Sequence, residues 1–214
     1  MTDLKLTIGD KNLSSWSLRP WFLMKQADIP FEEETIFLDR PETRRTLAEK
    51  SPAGFVPFLT HDDLRIWDSL AIAEYLNDLY PDKILWPEDR RARAIARSVS
   101  AEMHSGFSNL RTVWPMMVLR RDLKHTTSGG VARDLDRVFS IWRDCRDRFG
   151  DDGPFLFGRF SIADAMYAPV ASRITTYGPV DAPAACAEYV ETILATPAFA
   201  EWTRGAEAQE ANRA

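Results

Sequence analysis

Residues 51–76 read SPAGFVPFLTHDDLRIWDSLAIAEYL, and three backbone devices in this run decide the fold. Pro57 precedes the apolar pair Phe58-Leu59. Proline has no N–H to give a sheet ladder, so it belongs at a strand start or an edge. A cis Val56-Pro57 bond there would turn the N–H and C=O of Val56 outward, where an extended ligand backbone can pair with them as an added strand. His61-Asp62-Asp63 supplies turn chemistry and residues 64–67 alternate as a returning strand, which completes a hairpin. Asp68-Ser69 then opens a helix whose apolar positions are Leu70, Ile72, Ala73, Leu76 and Leu79. The first N–H groups of such a helix lack internal partners and carry partial positive charge, which suits a carboxylate, while Asp68 can hold an ammonium group. The alternative for Asp68 or Ser69 is a plain helix cap.

Working outward, Leu4, Leu6 and Ile8 alternate as a first strand that closes on the polar turn at residues 9–12. Leu18, Trp21, Phe22 and Met24 predict a helix to about residue 27, with Ser14 to Ser17 at its start and Pro20 in its first turn. Residues 31–38 read as a second strand and 40–50 as a short exposed helix. The order strand, helix, strand, helix, strand, strand, helix predicts a thioredoxin-like α/β layer over residues 1–80. Pro81 and Pro87 mark residues 81–87 as a connector. Residues 88–214 read as all helix, an α bundle. One long helix is expected over 89–123, bent near Pro115, and a second over 131–149 after a break at 126–130. Ser161-Ile162-Ala163-Asp164 has capping-box spacing before a helix over 165–175, and two amphipathic helices follow at 183–194 and 197–207.

The chain has 214 residues, 45% hydrophobic and 28% charged, enough to bury a sizeable core. Its formal net charge of -5 disfavours a nucleic-acid partner. Arg90, Arg91, Arg93 and Arg97 cluster, but beside Glu88 and Asp89, as on a solvated helix face. No apolar run approaches the roughly 20 residues of a membrane helix, and no signal peptide is visible. Two distant cysteines, Cys145 and Cys186, argue against a disulfide framework and fit the cytoplasm. His61, His104 and His125 show no metal-ligand spacing, so no metal is expected.

The run SPAGFVPFL…WDSLAIAEYL resembles the glutathione-contacting half of the thioredoxin-like domain in cytosolic glutathione transferases, in particular bacterial, serine-type members. By that resemblance Val56 pairs its backbone with the cysteinyl part of glutathione, Pro57 is the cis proline, and Asp68 with Ser69 grips the γ-glutamyl end. Phe55 stands where the family often has Lys or Gln. The segment SSWSLRP resembles the SSC…R signature of the zeta class, with Ser14 matching the first serine, Arg19 the basic residue, and Trp16 standing in place of cysteine. This makes Ser14 the candidate stabiliser of the glutathione thiolate, followed by Ser15 and then Ser17, against the alternative that these hydroxyls only cap the helix. Lowering a thiol pKa from about 8.5 to about 6.5 takes roughly 2.7 kcal/mol. A serine hydroxyl can supply about 1.5 to 3 kcal/mol and the helix N-terminus about 0.3 to 1 more, so no deprotonating histidine is required. The resemblance also places the wall of an electrophile pocket on the long helix, with His104, Phe107, Trp114, Met116 and Met117 as candidates, against the alternative that this apolar stripe is core. The capping box after PFLFGRF resembles that of the family's helical domain, whose job is folding.

The resemblance implies a glutathione S-transferase that delivers the thiolate to a small hydrophobic electrophile, as a homodimer. Two alternatives stand beside it. One is a glutathione-dependent isomerase, similar to maleylacetoacetate isomerase, or a peroxidase. The other is a non-catalytic binding module of the same fold.

Overall fold

The protein is described by a computed structural model that covers residues 4–123 and 128–212. His125, Thr126 and Thr127 lie outside the described residues. The first strand β1 (Leu4–Ile8) is central, with β2 (Glu32–Thr35) parallel on one side and β3 (Phe58–His61) antiparallel on the other; β4 (Leu64–Ile66) closes the order β2-β1-β3-β4. Register is fixed by burial, since Leu6 opposite Leu59 is fully buried and a one-residue slip would turn that face to water. The connecting helices are α1 (Ser15–Gln26), α2 (Thr43–Lys50) and α3 (Ser69–Leu79). These elements make a thioredoxin-like βαβαββα layer.

A single 3-10 turn at Pro81–Lys83 leads into a helical bundle. Its helices are α4 (Arg90–Ser105), α5 (Ser108–Val113), α6 (Gly129–Phe149), α7 (Ile162–Thr176), α8 (Ala184–Leu194) and α9 (Pro197–Ala211). The hinge of the molecule is α1, which packs on α3 and also on α7 and α9. Leu18, Trp21, Phe22, Leu23 and Met24 are therefore fully buried. Each such side chain contributes about 1.5 to 3 kcal/mol of apolar burial. Along α7 every residue but Thr175 is buried, as befits a helix surrounded by others.

The capping box forms around Asp164, which is fully buried. Its Oδ2 accepts from Ser161 N–H at 2.8 Å and Ser161 O–H at 3.0 Å, while Oδ1 accepts from Leu156 N–H and Tyr189 O–H, both at 3.0 Å. The local cap thus also ties the loop before α7 and the neighbouring α8 to one carboxylate. Cys145 and Cys186 are buried and unlinked, and burial pushes the Cys145 thiol up to about 12.

Several expectations need correction. The long helix over 89–123 is two helices, and the break falls at Gly106-Phe107 rather than at Pro115. Phe107 sits at φ 59° in the left-handed region, and the chain turns there. Residues 114–123 are not helical. Pro20 lies inside α1, past its first turn, where it withholds the N–H that would have met the Trp16 carbonyl. The second strand ends at Thr35, although Ile36 N–H still reaches Ile8 C=O at 2.8 Å, and Trp67 lies outside β4. The last helix continues to Ala211, beyond the expected 207.

Candidate functional site

The Val56-Pro57 bond is cis, and β3 begins directly after it at Phe58. Among the described residues neither backbone group of Val56 makes a hydrogen bond. Val56 borders a cleft of about 230 Å³ lined also by Trp16, Ala53, Phe55, Pro57, Trp67, Asp68 and Ser69. Two helix starts meet here, those of α1 and α3.

At the start of α3, Asp68 is the N-cap. Its Oδ1 accepts from Leu70 N–H at 3.0 Å and Ala71 N–H at 3.4 Å, and its Oδ2 lies 2.8 Å from His104 Nε2. The Trp67-Asp68 bond is also cis. Ser69 is 1% exposed and its Oγ is buried with no partner among the described residues. An unpaired buried hydroxyl at a helix N-terminus is an incomplete site, and a carboxylate would complete it.

At the start of α1, Ser14 is the N-cap and its Oγ accepts Ser17 N–H at 3.4 Å. Ser14 Oγ and Ser17 Oγ lie 2.8 Å apart, and Ser17 Oγ also accepts Gly9 N–H at 3.0 Å. A hydroxyl can rotate its proton, so this pair has two arrangements. With Ser14 donating, its proton is turned inward; with Ser17 donating, the Ser14 proton is released toward the outside. Gly9 makes the neighbourhood possible: a Cβ there would stand 2.9 Å from Leu38 Cδ1 and 3.1 Å from both Ser14 Cβ and Val56 Cγ2. Ser14 and Val56 therefore adjoin across a position that has no side chain. Ser15 is engaged differently, since its Oγ accepts from Arg173 Nη2 at 3.2 Å.

The pocket-wall candidates separate. His104 reaches the site, with its ring 5.3 Å from Trp16 in an edge arrangement and its Nε2 on Asp68. Phe107, Trp114 and Met116 are buried in the core, and none of them lines the cleft. Trp114 stacks on Tyr177 at 5.1 Å, and its carbonyl accepts from Arg173 Nε at 2.7 Å. Met117 is half-buried and also lies off the cleft; its carbonyl accepts from Thr176 and its sulfur from Tyr177 O–H. Trp114, Met116 and Met117 lie past the end of α5 and not on a helix, and Phe107, Trp114 and Met116 pack into the core.

Sequence reasoning missed the aromatic walls Trp16 and Trp67, and it missed Arg111 and Arg173 entirely. Trp16 carries the Arg19 guanidinium 4.3 Å from its ring centroid and the Arg111 guanidinium at 4.8 Å. No spacing signal joins residues 19, 111 and 173, because three separate helices bring them together. Among the described residues, no group of three or more His, Cys, Asp or Glu side chains could hold a metal ion, and no helix is long and apolar enough to cross a membrane.

A thioredoxin-like domain with an unpaired backbone position before its cis proline, followed by a helical bundle, defines the class to which comparison with known proteins then gives a family. Residues 13–79 match the glutathione S-transferase N-terminal domain, and residues 128–204 match the glutathione S-transferase C-terminal domain. The chain is 34% identical to Glutathione S-transferase 1 of Dianthus caryophyllus over 179 residues, 81% of this chain and 80% of that protein. It is 36% identical to a probable maleylacetoacetate isomerase of Caenorhabditis elegans over 107 residues, 50% of this chain and 49% of that one. A crystal structure of a Burkholderia glutathione transferase homolog with bound glutathione superposes with a TM-score of 0.71 at 24% identity, covering 96% of this chain and 98% of that one. The chain belongs to the glutathione S-transferase family.

Proposed function

We propose that the cleft binds glutathione and that the protein transfers its thiolate to a small electrophile. The observation that carries this reading is the combination of an unpaired Val56 backbone after the cis proline with an unpaired Ser69 hydroxyl at the α3 N-terminus, on one cleft. A tripeptide offers a backbone to the first and a free carboxylate to the second. The Burkholderia homolog, of the same fold, holds glutathione, which supports the assignment.

In this reading residues 1–80 hold glutathione, 81–87 connect, and 88–214 complete the electrophile side. Val56 pairs with the cysteinyl unit beside Pro57. Ser69 and the α3 N-terminus take the γ-glutamyl carboxylate, and Asp68, steadied by His104, takes its ammonium group. The thiol then lies near Ser14. When Ser17 donates to Ser14, the Ser14 hydroxyl donates to the sulfur and favours the anion, with solvent accepting the proton. Ser15, polarised by the Arg173 guanidinium, is the second donor available. The thiolate attacks an electrophilic carbon held against Trp16 and Trp67, a C–S bond forms, and the leaving group departs with its electron pair.

An isomerase reading has one specific support, the similarity to the nematode isomerase, which spans half of each chain. Family membership also favours a cytoplasmic homodimer, and Phe55, 73% exposed, is apolar surface that a second copy would cover. Calorimetric titration with glutathione tests the core of the proposal. Saturable binding that Ser69→Ala weakens is the expected result, and no heat at millimolar glutathione would leave the non-catalytic module as the better reading.

A further inference from the structure

Lys11 and Asn12, in the turn between β1 and α1, are held from the far end of the chain. Lys11 N–H donates to Gln209 Oε1 of α9 at 2.8 Å, and Lys11 C=O accepts from Trp202 Nε1, also on α9, at 2.8 Å. Asn12 C=O accepts Val118 N–H and its Oδ1 accepts Leu119 N–H, both at 3.1 Å. The helical part of the chain thus grips two consecutive turn residues through both backbone and side chain. Ser14 follows directly, and its N–H closes the turn on Asp10 C=O at 2.7 Å.

The side chains repeat the pattern. The Lys11 ammonium lies 4.9 Å from the Trp21 ring centroid and 5.5 Å from that of Trp202, with a Glu33 oxygen at 2.8 Å. Gly205 of α9 leaves room for the lysine stem, since a Cβ there would stand 2.7 Å from Lys11 Cδ. Gln209 also donates through Nε2 to Thr35 Oγ1 at 3.3 Å, which ties α9 to the end of β2. Residues 114–123 are not helical, so their N–H groups need acceptors from elsewhere, and Asn12 supplies two successive ones.

These contacts bear on the sulfur through Ser14. A hydroxyl stabilises a thiolate only within hydrogen-bond reach and alignment, and the interaction weakens steeply outside them. The bonds inside the turn, from Leu13 and Ser14 N–H to Asp10 C=O, give it its shape. Where it stands beside the cleft is set by what holds Lys11 and Asn12.

We propose that Asn12 is a positioning residue for the glutathione thiolate, assisted by Gln209. By anchoring the turn to residues 118–119 and to α9, the helical domain sets where the Ser14 hydroxyl stands, and activation of the thiol depends on partners 107 and 198 residues away in sequence. This rests on the glutathione reading of the cleft and adds to it the source of Ser14's placement. A latch that only held the domains together would stabilise the fold and leave the ionisation of the sulfur untouched.

The test is ultraviolet titration of the thiolate of bound glutathione, with the pH profile of kcat/KM for a chlorodinitrobenzene at saturating glutathione, which reports the ionisation of the bound thiol. Asn12→Leu keeps the side-chain volume and loses the Oδ1 acceptor. Gln209→Leu removes the acceptor for Lys11 N–H, and Gln209→Glu keeps it. For Asn12→Leu the bound thiol pKa is expected to rise by about one unit, so kcat/KM falls about tenfold near pH 6 and rejoins the wild type above about pH 9, where both thiols are ionised. Glutathione affinity is largely kept. Gln209→Leu moves the same way by less, and Gln209→Glu restores the wild-type titration; this pair carries the test if Asn12→Leu does not fold.

A lowered Tm with an unchanged thiol pKa in Asn12→Leu and Gln209→Leu overturns the proposal and leaves the contacts as a latch. It is overturned equally if Gln209→Glu titrates like Gln209→Leu, because the acceptor then does not place the turn. A wild-type complex whose thiol titrates as in water, or no complex at all, fails the glutathione reading itself, a signal seen before any variant is made.

Discussion

Asp164 and Arg19 are both withdrawn from water, one in the helical bundle and one where the two domains meet. Four donors from the α7 start, the preceding loop and α8 converge on Asp164. No acceptor converges on Arg19 among the described residues. The contrast separates a buried charge that folding satisfies from one that folding leaves unpaired. A buried charge with every partner supplied by the chain holds the chain together. A buried charge with partners missing lowers stability.

The largest expected effect breaks the finished site. Asp164→Ala leaves two backbone N–H groups and two hydroxyls buried without an acceptor, so the loss should be about 3 to 5 kcal/mol, above the roughly 0.5 to 2 kcal/mol of a helix cap alone. Denaturant unfolding measures it, and a loss near 1 kcal/mol would mean that the loop and Tyr189 contribute nothing through this carboxylate.

A pH series sharpens the same point. Burial lifts the Asp164 carboxyl to about 6, with the Leu156 and Ser161 N–H bonds opposing. Its folded pKa thus lies above the ordinary carboxyl value of about 3.9, so the folded state binds the extra proton between those values. This group's contribution is greatest below about pH 4 and falls by roughly 3 kcal/mol as pH rises through about 6. Unfolding of wild type and Asp164→Asn across pH 4.5 to 7.5 should show that slope in the first and its loss in the second, whatever the other groups contribute in common.

The unpaired charge should respond with the opposite sign. Arg19→Met replaces an unpaired buried charge with an apolar chain of similar reach, and the ligand-free protein should gain about 1 to 3 kcal/mol. A loss of stability would show that the Trp16 contact outweighs the cost of the unpaired charge.

The same contrast explains what could be read from the chain. Local devices were legible: Pro57 before an apolar pair, Asp68-Ser69 at a helix start, and Ser161 to Asp164 as a capping box each act within four residues. The division of 89–123 into α4 and α5 was not, because Pro115 looked like the breaker while the turn depends on Phe107 in a left-handed conformation. The arginine cluster was illegible for a different reason. Arg19 stood out by its place in SSWSLRP, but Arg111 and Arg173 become its neighbours only once α1 packs against α7. Phe107, Trp114 and Met116 had the periodicity of a pocket wall and of a core alike, and burial decided for the core.

The central claim is that the start of α1 stabilises a thiolate on a ligand laid along Val56. Ultraviolet titration of the thiolate of bound glutathione, in the wild type and in Ser14→Ala, tests it most directly. The account predicts a bound thiol pKa about 2 units below the free value of about 8.5, with most of that shift lost in Ser14→Ala while affinity is largely kept. A bound thiol that titrates as it does in water, or a depressed pKa that Ser14→Ala leaves in place, would contradict it.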